Sequence, residues 1–232
     1  MRIYKNLIEA HKEIERDLKE TGVWHQGHSY QDKVVADQEH FEFMELSPYV
    51  YSLTDWSDEW LFAAEMNLNM EWVKSEFYER LSGYLNPGDA WKLRPQVWAE
   101  FIERSGKFSY TYSVRMHRNS ALNRVIDELD SHPASRQCVI PIFNGDEDLQ
   151  NMGGRRRIPC SMFYQFMVRS GTLILHYVMR SCDFYTHFPY DQLLALRLLD
   201  YFGDSLGYDQ RRFTHIITSL HAFKKDFPKE VF

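Results

Sequence analysis

Past Pro133 the hydrophobic pattern of this chain changes period, and no other feature restricts its fold as much. Before that point apolar residues recur at helical spacing: Leu7, Ala10, Ile14 and Leu18 share one face, with Lys and Glu between them. From Asp55 to Leu81, Trp60, Ala63, Ala64, Leu68, Trp72 and Phe77 keep the same period, which ends before the Asn86-Pro87-Gly88 turn. Two shorter helices are predicted over Arg94–Arg104 and Ser120–Leu129. After Pro133 the units become strand-like. Cys138–Phe143 is a compact apolar run, and Ser161–Val168 and Thr172–Met179 flank Arg169-Ser170-Gly171 as a hairpin would. Asp191–Phe202 returns to helical spacing, and Arg212–Thr218 reads as a last strand. Helices followed by a largely antiparallel or mixed sheet predict an α+β fold with helices packed against the sheet.

With 232 residues and no internal repeat, low-complexity tract or linker, one domain spanning 1–232 is expected. Hydrophobic residues at 44% suffice for a core, and the 16% aromatic content predicts a thick core or a stacking site. No run of eighteen apolar residues occurs and the N-terminus lacks an apolar signal region, so a cytoplasmic protein without membrane contact is expected. Three cysteines, Cys138, Cys160 and Cys182, without a Cys-x-x-Cys pair argue against a disulfide framework or a zinc knuckle. His25 and His28 have no carboxylate or cysteine at ligand spacing, so no metal is expected. A net charge of −6 is wrong for a surface that coats nucleic acid. A single nucleotide is a different partner, because its phosphate needs only a few converging arginines.

Cys160 lies in Arg155-Arg156-Arg157-Ile158-Pro159-Cys160-Ser161, at the start of a strand and after a basic run. A lone cysteine is more often a small buried hydrophobe. Cations nearby, however, lower a thiol pKa and raise its thiolate fraction, which predicts a reactive Cys160. Cys138 and Cys182 read as structural. Arg180-Ser181-Cys182-Asp183 begins twenty residues after Cys160, Asp191 follows eleven residues after Arg180, and His221 thirty after that.

In these four anchors the chain resembles the thymidylate synthase family, with its Pro-Cys nucleophile, Arg-Ser-x-Asp strand end, Pro-Phe-Asn-type helix start and late His-x-Tyr. Ser135-Arg136 and, more weakly, Glu71-Trp72-Val73-Lys74-Ser75 extend the resemblance upstream. It implies that Cys160 adds to carbon 6 of a pyrimidine nucleotide, making carbon 5 nucleophilic toward a one-carbon unit from 5,10-methylenetetrahydrofolate. It also implies that Arg180 and Ser181 hold the phosphate, that Arg136 serves the phosphate of a second subunit in a homodimer, that Asp183 contacts the folate, and that His221 lies near the sugar. Tyr112 matches the family's tyrosine near the base, with Tyr110 competing for the role.

The base-reading position carries asparagine in uracil-specific members. Asp191 stands there, as in the deoxycytidylate hydroxymethylase branch, and Met179 and Ser219-Leu220 point the same way. A carboxyl group can accept from the cytosine amine and, when protonated, donate to N3. A helix N-cap is the competing role for Asp191. The implied reaction is hydroxymethylation of dCMP or CMP. Reductive 5-methylation is the alternative, and a nucleotide-binding relative with lost or altered folate chemistry is a further one.

Four departures from the family bear on that last alternative. The family's Glu-x-x-Trp glutamate aligns with Asn69; Glu71 should face elsewhere, and Glu65, one turn back, is a candidate substitute. The second dimer arginine becomes Gln137, and the sugar-contacting tyrosine becomes Phe223. The chain also ends eleven residues after His221, where the family continues with a closing tail. Arg155-Arg156-Arg157 is read as a solvated loop, and Gly153-Gly154 as flexible rather than a phosphate cradle.

Overall fold

The computed structural model describes residues 1–30, 33–35 and 38–227. Asn6 opens the first helix, Leu7–Thr21, by accepting from the Glu9 amide at 2.8 Å, and Leu7, Ala10, Ile14 and Leu18 are fully buried beneath it. The periodic stretch after Asp55 is not one helix. It breaks into Glu59–Glu65 and Met70–Ser82, because Asn67 takes a left-handed conformation (φ 49°) and Asn69 caps the second segment by accepting from the Trp72 amide. The helix expected over Arg94–Arg104 shrinks to Pro95–Trp98 and a single 3₁₀ turn, Ala99–Phe101. Ala121–Ser131 forms close to where its pattern predicts.

The expected order of helices first and sheet second is corrected by six N-terminal strands among the described residues, four of which join the two larger sheets. Arg2–Tyr4 and Tyr49–Leu53 complete a six-stranded sheet whose spatial order continues Arg211–Ile217, Thr172–Met179, Ser161–Arg169 and Val139–Pro141. Arg2–Tyr4 runs parallel to its neighbour, as does Arg211–Ile217 to Thr172–Met179, and the other pairs are antiparallel, so the sheet is mixed. A second sheet joins Cys182–Asp183, Leu220–Phe223, Glu42–Leu46 and Val23–Gln26. The hairpin forms as predicted, with Ser170 and Gly171 both at positive φ in the turn.

The long helix Phe188–Leu206 covers one face of the larger sheet and is buried along most of its length. Phe202 stacks on Phe166 at 3.9 Å and Tyr164 on Tyr177 at 4.5 Å, so much of the aromatic content is core. Burying each such ring is worth roughly 1.5–3 kcal/mol. His215 is buried inside this layer with Nδ1 3.1 Å from the Tyr51 hydroxyl, and burial lowers its pKa to about 3. No helix among the described residues is long and apolar enough to cross a membrane.

Candidate functional site

Strand ends build the site. Ser161–Arg169 starts immediately after Cys160, and a bulge between Ser161 and Phe163 bends it there. The partner strand ends at Met179, which delivers Arg180 and Ser181 beside Cys160, and the Arg180 amide donates to the Cys160 carbonyl at 2.8 Å. The guanidinium of Arg180 then turns back, with Nε donating to the Pro159 carbonyl and Nη2 to the Ile158 carbonyl, both at 2.9 Å. Next in sequence, Cys182–Asp183 crosses to the second sheet and pairs in parallel with Leu220–Phe223, so Asp183 and His221 are register partners. His187 precedes the long helix, whose first turn carries Asp191.

These residues line one cleft of about 560 Å³, within the range of small-molecule sites. Cys160, Tyr112, Arg180, Ser181, Asp183, Asp191 and His221 all border it. Arg136 does not. It is exposed outside the cleft of its own chain, and its carbonyl accepts from Gln165 Nε2 at 3.0 Å.

Asp191 is not a helix cap. His187 holds that position, and among the described residues the Asp191 carboxyl accepts no backbone amide and has one hydrogen-bond donor, Cys182 Sγ at 3.9 Å. Burial raises its pKa to about 6, with Glu76 adding to the rise and Arg80 and Arg94 opposing it. Cys182, read from sequence as purely structural, therefore contacts a residue of the cleft.

The Cys160 thiol departs from expectation in sign. Burial pushes its pKa up, Asp191 and Asp183 push the same way, and Arg180 and Arg157 only partly offset them. Burial also dominates at His221, lowering its pKa against the pull of Asp183. The two candidate tyrosines stack at 6.2 Å, but their hydroxyls differ. Thr111 caps the short helix that starts at Tyr112, and the Tyr112 hydroxyl lies 3.0 Å from Ser161 Oγ, from which it accepts. The Tyr110 hydroxyl has no hydrogen-bond partner among the described residues and borders the cleft.

Glu65 is no substitute for a cleft glutamate, because it pairs with Lys12 at 2.9 Å on another face. Asn69 is committed to its cap and to the Leu93 carbonyl, 2.9 Å from Nδ2, and its backbone amide donates to the Tyr190 hydroxyl at 3.0 Å. A carboxylate does reach the cleft from the same helix, and sequence reasoning missed it. Glu76 lines the wall and accepts from Arg80 Nε at 2.8 Å, and the Arg80 guanidinium lies 4.4 Å from the Tyr112 ring centre. The signal was available. Trp72, Val73, Glu76 and Arg80 recur at i, i+1, i+4 and i+8, so a charged pair shares the face that buries Trp72.

Trp98, Phe101 and Phe108 give the cleft an aromatic wall, and Asp183 stands at its edge. The segment after Phe227, where the family's closing tail would begin, lies outside the described residues.

The family model described as "Thymidylate synthase" matches residues 23–230. A "Putative thymidylate synthase" of Methanosarcina barkeri is 27% identical over 129 residues, which is 54% of this chain and 58% of that protein. One of Methanocaldococcus jannaschii is 25% identical over 138 residues, covering 53% and 62%. The matches thus span about three fifths of these relatives' own lengths. The crystal structure of thymidylate synthase from T4 phage superposes with a TM-score of 0.72 at 19% identity, covering 95% of this chain and 78% of that one, which establishes the shared fold. With nearly its whole length matched by the family model, the chain belongs to the thymidylate synthase family.

Proposed function

We propose that this protein transfers a one-carbon unit to carbon 5 of a cytidine monophosphate, giving 5-hydroxymethyl-dCMP. The observation that carries the reading is Asp191: a carboxyl in the cleft, free of any capping duty, with its pKa raised to about 6. Such a group can present an acceptor to the cytosine amine and, protonated, a donor to N3. Arg180 and Ser181 take the phosphate, with Arg136 reaching it from a second copy in a homodimer. The Cys160 thiolate forms the Sγ–C6 bond, and that bond breaks again when product leaves. Bound 5,10-methylenetetrahydrofolate would supply the one-carbon unit, with Asp183 and the aromatic wall as the residues that hold it. Glu76, ion-paired to Arg80, is the group suited to order water and exchange protons in the role that Asn69 cannot fill. Tyr110, whose hydroxyl is uncommitted, is better suited than Tyr112 to meet the substrate.

Phe223 favours a second reading of the sugar. It lines the cleft beside His221 without a hydroxyl to select deoxyribose, so CMP is the competing substrate. The test is the product mass after incubation with methylenetetrahydrofolate and dCMP, CMP or dUMP in turn. A gain of one hydroxymethyl group on a cytidine nucleotide is expected. Conversion of dUMP alone would overturn the proposal, and a methyl gain would replace hydroxymethylation with reductive methylation.

A further inference from the structure

The run Arg155-Arg156-Arg157 is not a uniformly solvated loop. Arg155 and Arg156 are exposed, and Arg156 lies 3.9 Å from Glu103, but Arg157 is only 8% exposed. Its guanidinium carbon lies 4.4 Å from the ring centre of Phe101, 5.0 Å from Tyr110, 5.4 Å from Trp98 and 5.8 Å from Phe108. Among the described residues it has no ion-pair partner, and its Nε has no hydrogen-bond partner.

Aromatic faces stabilise a cation through their quadrupoles, but they do not neutralise it. A guanidinium keeps its proton under any ordinary condition, so burial leaves the positive charge in place. The result is an uncompensated charge in a low-dielectric wall of the cleft that also holds Cys160, three residues further along the chain. The other groups facing Cys160 are Arg180, the carboxyls of Asp191 and Asp183, and the hydroxyls of Tyr110 and Tyr112. Arg180 differs from Arg157 in one respect. It is exposed where it lines the cleft, and an anionic phosphate there would offset its charge, whereas Arg157 is buried among aromatic rings with no ion-pair partner among the described residues.

We propose that Arg157 is a positioning residue that supports the thiolate form of Cys160 from within its aromatic cage. The proposal rests on the assignment of Cys160 as nucleophile, and its direction agrees with the pull of Arg157 against burial at that thiol.

The test is the pH profile of Cys160 alkylation by iodoacetamide in the nucleotide-free protein, read by mass spectrometry of the peptide that contains it. No substrate is involved, so this result and the product-mass result stand or fall separately. Arg157→Met keeps an apolar side chain between the rings. It is expected to move the midpoint upward and slow alkylation at pH 7.5 about three- to tenfold. Arg157→Lys, which restores the charge, should return the midpoint toward wild type. Arg156→Met, which removes a solvent-screened charge, should leave it unmoved. Should Arg157→Met fail to fold, Arg157→Gln supplies the neutral side chain. A profile that superimposes on wild type in a folded neutral variant overturns the proposal, as does a Lys variant shifted as far as the neutral one.

Discussion

The thiol of Cys182 lies 3.9 Å from Oδ2 of Asp191, and among the described residues it is the only hydrogen-bond donor to this carboxyl. Asp191 is thus held by a weak donor on one side while the rest of the group faces the cleft. A group anchored so lightly remains available to a ligand.

Base choice follows from that availability. Asp191→Asn presents an amide matched to uracil, so it should weaken dCMP binding and improve dUMP binding relative to wild type. One or two buried groups left unpaired correspond to about a tenfold to hundredfold change in the ratio. Competition binding of both nucleotides measures it, and an unchanged ratio would remove Asp191 from base recognition.

The same carboxyl predicts a pH dependence. Its folded pKa of about 6 lies above the usual 3.8, so the folded state holds the proton more tightly than the unfolded chain. The stabilising effect is complete below about pH 4 and is lost as pH rises through 6. Urea midpoints of wild type should fall over that window relative to Asp191→Asn. Affinity for dCMP should likewise decline from pH 6 to 8 in wild type and stay flat in the variant.

For the nucleophile, Cys160→Ala should abolish tritium release from carbon 5 of labelled cytidylate, by about a thousandfold or more, with folding preserved. Cys138→Ala should retain exchange. Full exchange in Cys160→Ala would sink the covalent route.

Glu76→Gln tests the carboxylate proposed for the role that Asn69 cannot fill. Loss of a general acid–base group costs about 10²–10⁴ in rate, and here nucleotide binding should change little. Asn69→Ala should instead reduce stability by about 1 kcal/mol, as loss of a helix cap does. A large activity loss in Asn69→Ala with Glu76→Gln unaffected would reverse the assignment.

Arg136 belongs to a shared site in the proposal, because its own cleft does not include it. Mixing inactive Arg136→Ala and Cys160→Ala chains should restore about a quarter of wild-type activity, since half of random dimers carry one intact site of two. Absence of complementation, or a monomer in sedimentation, counts against the shared phosphate site.

Local patterns carried their information well where they stood alone. The hairpin around Ser170-Gly171 and the helices at Leu7 and Ala121 are set by periodicity and turn chemistry, and both are visible in short windows. Val23–Gln26 was illegible because all four of its residues are exposed at an edge, so no alternation marks it. The break at Asn67 was hidden because Trp60, Ala63 and Ala64 before the turn, and Trp72 and Phe77 after it, all sit at helical spacing although the backbone between them is interrupted. Cys160, Arg180, Asp183, Asp191 and His221 meet at one cleft because each lies at or beside the terminus of a strand or helix. Arg157 and Glu76 could not be read ahead of the structure, since their environment is made by rings and cations distant in sequence.

Among the described residues the Asp191 side chain caps no amide of the long helix, whose backbone hydrogen bonds therefore do not depend on a carboxyl at residue 191. Aspartate and asparagine codons differ by one base. Under the proposed role, a lineage could therefore exchange cytosine for uracil preference in a single mutational step, without first acquiring a compensating change in the core.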